Sequence, residues 1–396
     1  MSGAAISVST SVDGEDMTVG TWHPHPRSGG TFRYEKSWAS AEYGYSLSPA
    51  LPVLAGSAPQ VTYAEKGPLP QVFSDSAPAR WGRQIIERTW QADGRGVPDA
   101  VDILLAVRDR LRMGALRFAR DGVEMSESAG VPKMLDLAHL EAVAQRAESH
   151  TDSDADIKEP FDAGSSMGGA RPKAVVVDEN GHLMLTKFTS TKDDTDVVAW
   201  EKVCLDIAAH AGITVPRSLL LRLESDPVLV LDRFDREYDT DGNESRIGYI
   251  SAMTMLDERD GGASSLVAVA EAFEPHMAAS GRVDLAELWK RSVLNLLVGN
   301  KDNHLRNHGF QPHHDRAVRD GFDAAMRQRT REVLGEPPAP SCWISPHMTP
   351  PLDRWGDAVS VGARFAHGSP LHVAPAPNAP RRGERRGRAV KGARAV

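Results

Sequence analysis

Val298-Gly-Asn-Lys-Asp-Asn-His-Leu-Arg-Asn-His-Gly-Phe310 decides how the rest of the chain is read. An apolar helical run from Asp284 to Leu297, with Leu285, Leu288, Trp289 and Leu296 at core spacing, feeds into it. Four residues then separate Asp302 from Asn307. A carboxylate at the first position can accept or orient the proton of an attacking hydroxyl, and a carboxamide oxygen five positions on can hold a magnesium on phosphates. The same spacing also occurs in an Asx-rich turn that closes a helix. What separates the two readings lies upstream.

There, Gly164-Ser-Ser-Met-Gly-Gly-Ala-Arg-Pro-Lys173 runs into Ala174-Val-Val-Val-Asp, a Glu179-Asn-Gly-His turn and Leu183-Met-Leu-Thr-Lys187. This predicts a Gly-rich turn followed by an Asn-Gly hairpin whose second strand ends on Lys187. Backbone amides at Gly168 and Gly169 can approach an anion closely because no Cβ intervenes. Taken alone, the same residues describe an ordinary hairpin with a solvent-facing lysine. A helix from about Asp194 to Ala211 follows, with Trp200, Val203, Cys204 and Ile207 as its expected apolar stripe and Glu201 beside it. Val228-Leu-Val-Leu-Asp-Arg-Phe-Asp235 reads as a buried strand ending in charge. The order is Gly-rich loop, strand lysine, helix glutamate, buried strand, helix and Asp-x4-Asn, which is the order of parts in a kinase.

The N-terminal part has a different pattern. Ile6 to Val12 alternates at period two, Asp13-Gly14 offers a turn, and Met17 to Trp22 and Thr31 to Tyr34 resume strand character. Ser46 to Leu54 and Leu69-Pro-Gln-Val-Phe predict an extended, Pro-punctuated passage. Ser76 then offers a helix N-cap and Pro78 a first-turn residue, before a helix carrying Trp81, Ile85, Ile86 and Trp90 on a core-facing stripe. Pro98 opens a second helix, and Gly114 ends it ahead of a strand at Leu116 and Phe118. Leu135 to about Ala147 is a third amphipathic helix. Ser149 to Asp162, with Asp152, Asp154, Asp156 and Glu159, reads as a solvated linker. The expected domains are 1–150, 160–310 and a divergent segment 311–396.

At 396 residues, 41% of them hydrophobic and 25% charged, the chain has room for two soluble domains. No run is long enough for a membrane span, no signal peptide is visible at the N-terminus, and Cys204 and Cys342 are too few for a disulfide framework. A cytoplasmic location without membrane contact is expected. Residues 381–396 carry a net charge of +6 against −8 for the whole chain, so the remainder carries about −14. So acidic a body argues against autonomous DNA binding, which draws most of its non-specific affinity from neutralised phosphates.

Ser166-Met-Gly-Gly-Ala-Arg-Pro-Lys173, Val230-Leu-Asp-Arg-Phe-Asp-Arg236, Ile250-Ser-Ala and Val298 to Phe310 together resemble the HipA family, the kinase toxins of bacterial type II toxin–antitoxin modules. Leu69-Pro-Gln-Val-Phe, Ser76-Ala-Pro-Ala-Arg-Trp-Gly-Arg83 and Gly114-Ala-Leu-Arg-Phe118 extend the resemblance to roughly residues 15–310. It implies an α+β, kinase-like two-lobed fold with a β-rich N-terminal subdomain and a largely helical C-terminal lobe. It also implies Mg-ATP-dependent phosphorylation of Ser or Thr on a protein, an aminoacyl-tRNA synthetase being one class of target. Asp302 would be the catalytic base, Asn307 a magnesium ligand and Lys187 the phosphate-holding lysine, with Glu201 as its partner. Gly168, Gly169 and Ala170 would form the phosphate loop, and Asp232 and Phe234 would lie near adenine. Ser166 matches the serine that members autophosphorylate. The implied partners are a helix-turn-helix antitoxin of the HipB type and, through it, operator DNA.

The resemblance fails downstream. A second acidic magnesium ligand is expected in a Ser-Pro-x-Tyr-Asp-like segment, whereas Trp343-Ile-Ser-Pro-His-Met-Thr-Pro350 has no Asp at the matching place. A shifted reading frame or a degenerate 3′ end would account for this and would leave the second metal unheld. Two other functions stay open: a non-catalytic, antitoxin-binding pseudokinase, and a small-molecule phosphotransferase, since such enzymes share the Asp-x4-Asn loop. His304 and His308, four apart, lack a third ligand at metalloprotease spacing.

Overall fold

The computed structural model describes residues 4–12, 15–25, 29–41, 43–54, 57–62, 68–120, 123–124, 130–149, 169, 171–223, 226–259, 264–273 and 281–311. The expected linker, Ser166, Gly168, Ala170 and the divergent segment from residue 312 lie outside them. All described residues belong to one compact unit, Met1–Pro337. The fold is α+β and opens with the expected β-rich subdomain.

In that subdomain, β1 (Ile6–Val12), β2 (Glu15–His25) and β3 (Gly29–Tyr34) are followed by α1 (Lys36–Ser40) and β4 (Gln60–Thr62). Then come α2 (Gln71–Asp75), α3 (Arg80–Ala92), α4 (Ala100–Ala106), β5 (Arg117–Arg120) and β6 (Val123–Glu124). The strands make one antiparallel sheet in the order β4-β3-β2-β1-β5-β6. Its period-two alternation sends Ile6, Val8, Trp22, Phe32 and Phe118 to one face, where all are buried. Phe73 of α2 is the hub of that face. Its ring meets Trp22 and Phe32 at 5.8 Å and Phe118 at 5.1 Å, each edge-to-face, the arrangement the ring quadrupoles favour.

Three expectations fail in this part, the first being the second helix, which ends at Ala106 and not at Gly114. Leu69-Pro-Gln-Val-Phe is not extended, because Pro70 serves as the N-cap of the short helix α2. Ser76 does not start α3; it is the C-cap of α2, and Ala79 precedes α3 without a side-chain cap. By contrast, Asp99 caps α4 with a reciprocal box to Asp102.

A second antiparallel sheet follows α5 (Leu137–Ser149). Its strands β7 (Lys173–Val177), β8 (Leu183–Lys187), β9 (Ser218–Arg222) and β10 (Pro227–Asp232) lie in the order β7-β8-β10-β9, with α6 (Val197–His210) between β8 and β9 in the chain. On one face, Trp81 and Ile85 of α3 and Leu140 and Ala144 of α5 pack with Val176, Met184, Val228 and Val230. The other face belongs to α6, whose Val198 packs with Leu229 and Leu231.

The rotation of α6 is not the expected one. Trp200, Val203 and Ile207, read as the buried stripe, are 62%, 42% and 47% exposed, while Val198 and Ala208 are buried. Val198, Glu201, Leu205 and Ala208 share the inner face at helical spacing, so a carboxylate sits in the inward stripe.

Beyond β10 come β11 (Arg236–Tyr238), β12 (Glu244–Arg246), β13 (Ile250–Ser251), α7 (Ala252–Met255), α8 (Leu266–Phe273), α9 (Gly281–Leu297) and β14 (Gly309–Phe310). Leu285, Leu288, Trp289 and Leu296 of α9 were expected to be core. None is buried among the described residues, and Trp289 and Leu296 are 61% and 67% exposed. Among the described residues no helix is long and apolar enough to cross a membrane.

Candidate functional site

Three strands and one helix build the floor of the site. The β7–β8–β10 register places Lys173, Lys187 and Leu229 side by side, and Glu201 of α6 ion-pairs with Lys187. The inward stripe of α6 explains this contact: burying Val198 and Ala208 turns Glu201 toward the end of β8.

Of the expected phosphate loop, only Gly169 is among the described residues. Its φ of +96° lies where an L side chain is strained, and a Cβ there would come within 2.7 Å of Lys173 Nζ. The Gly169 carbonyl accepts from the Trp81 amide at 3.1 Å, which ties the loop to the start of α3. Arg171, two residues on, is held by Asp193, its Nη2 donating to Oδ1 at 2.8 Å. That hydrogen bond raises the Arg171 guanidinium, and the carboxylates of Asp193, Glu201 and Asp302 add to the effect. Arg171 therefore lies within electrostatic reach of both the Lys187–Glu201 pair and the loop that carries Asp302.

That loop leaves α9 through Gly299, whose φ is +67°. The Asp302 amide donates to Asn300 Oδ1 at 3.0 Å, and its carboxylate stands 85% exposed with His304 Nε2 at 3.4 Å. The Asn307 amide nitrogen donates to the Asp302 carbonyl. This internal bond occupies the nitrogen and leaves the carboxamide oxygen free to accept a ligand. Asn303 accepts from Asn295 Nδ2 at 3.3 Å and meets His308 Nε2 at 2.7 Å, so the Asx residues also brace the turn. Turn closure and ligand presentation coexist here.

Beneath the loop, Leu305 is buried in the same core as Phe73 and Phe118. Ile250 and Ser251 pair with Phe310 and Gly309, and the Ala252 amide donates to the His308 carbonyl at 2.8 Å. The Tyr249 ring lies so close to Gly309 that a Cβ would meet it at 2.0 Å. Asp75 of α2 completes this support, accepting from the Ser251 amide and the Thr254 hydroxyl, each at 2.7 Å. Burial raises its carboxyl above the usual value, against the pull of those neutral donors.

Asp232 ends β10 in a salt bridge with Arg217 at 3.1 Å, and Phe234 is 49% exposed with its carbonyl accepting from Gln311 at 2.7 Å. Arg233 between them and Asp235 just beyond are buried. Asp235 accepts from Arg233 at 2.6 Å, from Arg236 at 2.8 Å and from the Gly114 amide at 2.7 Å. Burial pushes the Asp235 carboxyl up, but the two guanidiniums outweigh it and hold it at about 2. This cluster fastens the exit of β10 to the loop around Gly114.

The structure thus sets Gly169 beside Lys173 and pairs Lys187 with Glu201, and the Asp302 carboxylate acts on Arg171 alongside Glu201. Lys173 was not singled out from the sequence as a site residue. Pairing outward from a two-residue Asn180-Gly181 turn would have set it opposite Phe188; the loop spans residues 178–182 instead, and that one-residue shift brings it opposite Lys187. Two ammonium groups and one guanidinium fit a polyphosphate. Among the described residues no cluster of three or more His, Cys, Asp or Glu could hold a metal ion.

A family model described as HipA-like C-terminal domain matches residues 165–330, and one described as HipA N-terminal domain matches residues 10–119. No protein in the curated set matches the chain. Among solved structures, the chain is similar to HipA of the Shewanella oneidensis MR-1 toxin–antitoxin system, determined in complex with HipB and operator DNA. The identity is 16%, the match covers 77% of this chain and 72% of that one, and the TM-score is 0.49. With both domain models matched in order along one polypeptide, the chain belongs to the HipA family.

Proposed function

We propose that the chain is a Mg-ATP-dependent serine/threonine protein kinase, the toxin of a toxin–antitoxin module. The observation that carries this reading is the Lys187–Glu201 ion pair, with the carboxylates of Glu201 and Asp302 both acting on Arg171. Lys187, oriented by Glu201, holds the nucleotide phosphates, and the amide of Gly169, flanked by Gly168 and Ala170, lies against them. Asp232 and Phe234 sit where the adenine would approach the end of β10. Asp302 takes the hydroxyl proton of the acceptor as its oxygen bonds to the γ-phosphorus and the bond from that phosphorus to the β–γ bridging oxygen breaks, leaving ADP. Magnesium, held in part by the Asn307 oxygen, supplies charge neutralisation on the phosphates.

Ser166 in the Gly-rich loop is the first acceptor, and a protein such as an aminoacyl-tRNA synthetase is the external one. The functional division is a HipA-like N-terminal subdomain over 1–150, a kinase-like core over 160–310 and a divergent segment over 311–396, in a cytoplasmic protein. A HipB-type antitoxin supplies the DNA contact that an acidic body lacks.

The test is intact mass after incubation with Mg-ATP. A gain of one phosphate, mapped to Ser166 and lost in Asp302→Ala, is expected, with the rate falling by about 10²–10⁴-fold on loss of the base. No gain in folded protein returns the chain to the antitoxin-binding pseudokinase reading. Phosphorylation of small hydroxylated acceptors in place of Ser166 supports the small-molecule alternative.

A further inference from the structure

Two polar side chains of α2 reach out of the N-terminal subdomain to the segment that pairs with the end of the Asp302 loop. Asp75 is only 4% exposed, and one of its oxygens, Oδ2, accepts from both the Ser251 amide and the Thr254 hydroxyl at 2.7 Å. Gln71, one turn earlier on the same helix face, donates from Nε2 to the Glu258 carbonyl. These bonds join residues 176 and 187 positions apart in the chain. A five-residue helix thus grips both ends of the stretch 251–258, with α7 between the two grips.

That stretch in turn carries the loop. Ser251 pairs with Gly309, and the Ala252 amide holds the His308 carbonyl at 2.8 Å. Asn307 immediately precedes His308. Its backbone amide donates to the His304 carbonyl at 2.9 Å and its side chain to the Asp302 carbonyl, so the loop is closed on itself from 302 to 307. Fixing the C-terminal end of such a loop fixes Asp302 as well. Arg306, inside the loop, also acts on the Asp75 carboxyl, as the weakest of the influences on it.

We propose that Asp75 is a positioning residue for phosphate transfer, which sets the places of Asn307 and Asp302 through the Ser251–Gly309 pair. This rests on the kinase reading above and deepens it, because it makes α2 of the N-terminal subdomain a working part of the catalytic loop. A misplacement of about 1 Å from a change remote from the chemistry can slow a reaction about 10²-fold. The Lys187–Glu201 pair stands on β8 and α6 and makes no bond to this chain of contacts. Loss of Asp75 should therefore fall on the transfer step and spare the grip on the nucleotide.

The test compares the rate of self-phosphorylation at saturating Mg-ATP, read by intact mass, with the affinity for ATP in the absence of magnesium. Asp75→Ala should slow transfer about 10–100-fold and leave metal-free affinity within about twofold. Asp75→Asn keeps an oxygen for both donors and should restore transfer to within about threefold of the parent. Val8→Ala opens the same core from β1; it should lower stability yet leave transfer within about threefold, which separates positioning from a softened fold. Should Asp75→Ala fail to fold, Thr254→Val, which strips one donor from the same oxygen, should slow transfer about threefold or more, and Thr254→Ser should not. Parental rates in Asp75→Ala or Thr254→Val, no rescue by Asp75→Asn, or an equal loss in Val8→Ala overturns the proposal and leaves the kinase reading standing. A folded parent that transfers no phosphate overturns the two together.

Discussion

The two sheets of this protein solve opposite problems. The six-stranded sheet closes on a core of aromatic rings around Phe73, with each ring edge-to-face on the next. The four-stranded sheet places two lysines side by side on its α6 face, with a single glutamate lowered onto them. It also leaves the buried Thr186 hydroxyl without a hydrogen-bond partner. One sheet holds the molecule together, and the other gives up stability to keep charge in position. Charge that costs folding free energy and binds no partner within the fold indicates a ligand.

Substitutions can break or sharpen this contrast. The largest effect should come from Phe73→Ala, which empties the hub of the aromatic cluster. We expect a loss of about 3–5 kcal/mol in denaturant unfolding. A loss under 1 kcal/mol would mean that the first sheet is not the anchor.

Next come the two buried carboxylates, which look alike and should behave differently. Asp235→Asn leaves Arg233 buried without its counter-charge and Arg236 with Glu244 alone, and should cost about 3 kcal/mol or more. Asp75 accepts from the neutral Ser251 amide and Thr254 hydroxyl, feels Arg306 only as the smallest influence and is already raised by burial, so Asp75→Asn should cost less than about 1 kcal/mol at neutral pH. Equal losses in urea titrations would erase the distinction.

Lys173→Met should stabilise the nucleotide-free protein, by about 1 kcal/mol near pH 6. The sign follows from a folded-state value of about 7 against 10.5 for the model group. Below 7 the ammonium is charged in both states and the fold carries its full penalty. Between 7 and 10.5 the unfolded chain holds more protons, so parent stability rises with pH and the advantage of Met shrinks. Melting curves across that window that run parallel for parent and variant would refute it.

The smallest effect is assigned to the outer face of α6. Trp200→Ser should change stability by no more than about 0.5 kcal/mol, whereas Val198→Ala, on the inner face, should cost about 1–2 kcal/mol. Reversal of that order would restore the rotation expected from the sequence.

That rotation marks the limit of what sequence pattern reveals. α6 carries two apolar stripes, and the more hydrophobic one, Trp200, Val203 and Ile207, is the exposed one. The ion pair to Lys187 and the smaller surfaces of Val198 and Ala208 decided the orientation, and helical periodicity weighs neither. α2 went unread because five residues scarcely exceed one period. Placement along the chain was legible wherever it is local. Lys187 follows from the hairpin and Asp302 with Asn307 from their spacing, and both lie where expected relative to their strand and helix. The Arg233–Asp235–Arg236 cluster and the Asp75 support were hidden because their partners, Gly114 and Ser251, are over a hundred residues away in sequence.

Leu305 carries the same separation into time. Its side chain completes a core whose first walls, from Ile6 to Phe118, leave the ribosome far earlier, ahead of those from Ile250 to Ala272. At ordinary elongation rates the interval is roughly ten to forty seconds. The six-stranded sheet can begin to form while the loop bearing Asp302 has not yet been synthesised, and that loop acquires its seat only when the last wall arrives. A nascent chain of this kind has a sheet before it has the loop that bears Asp302.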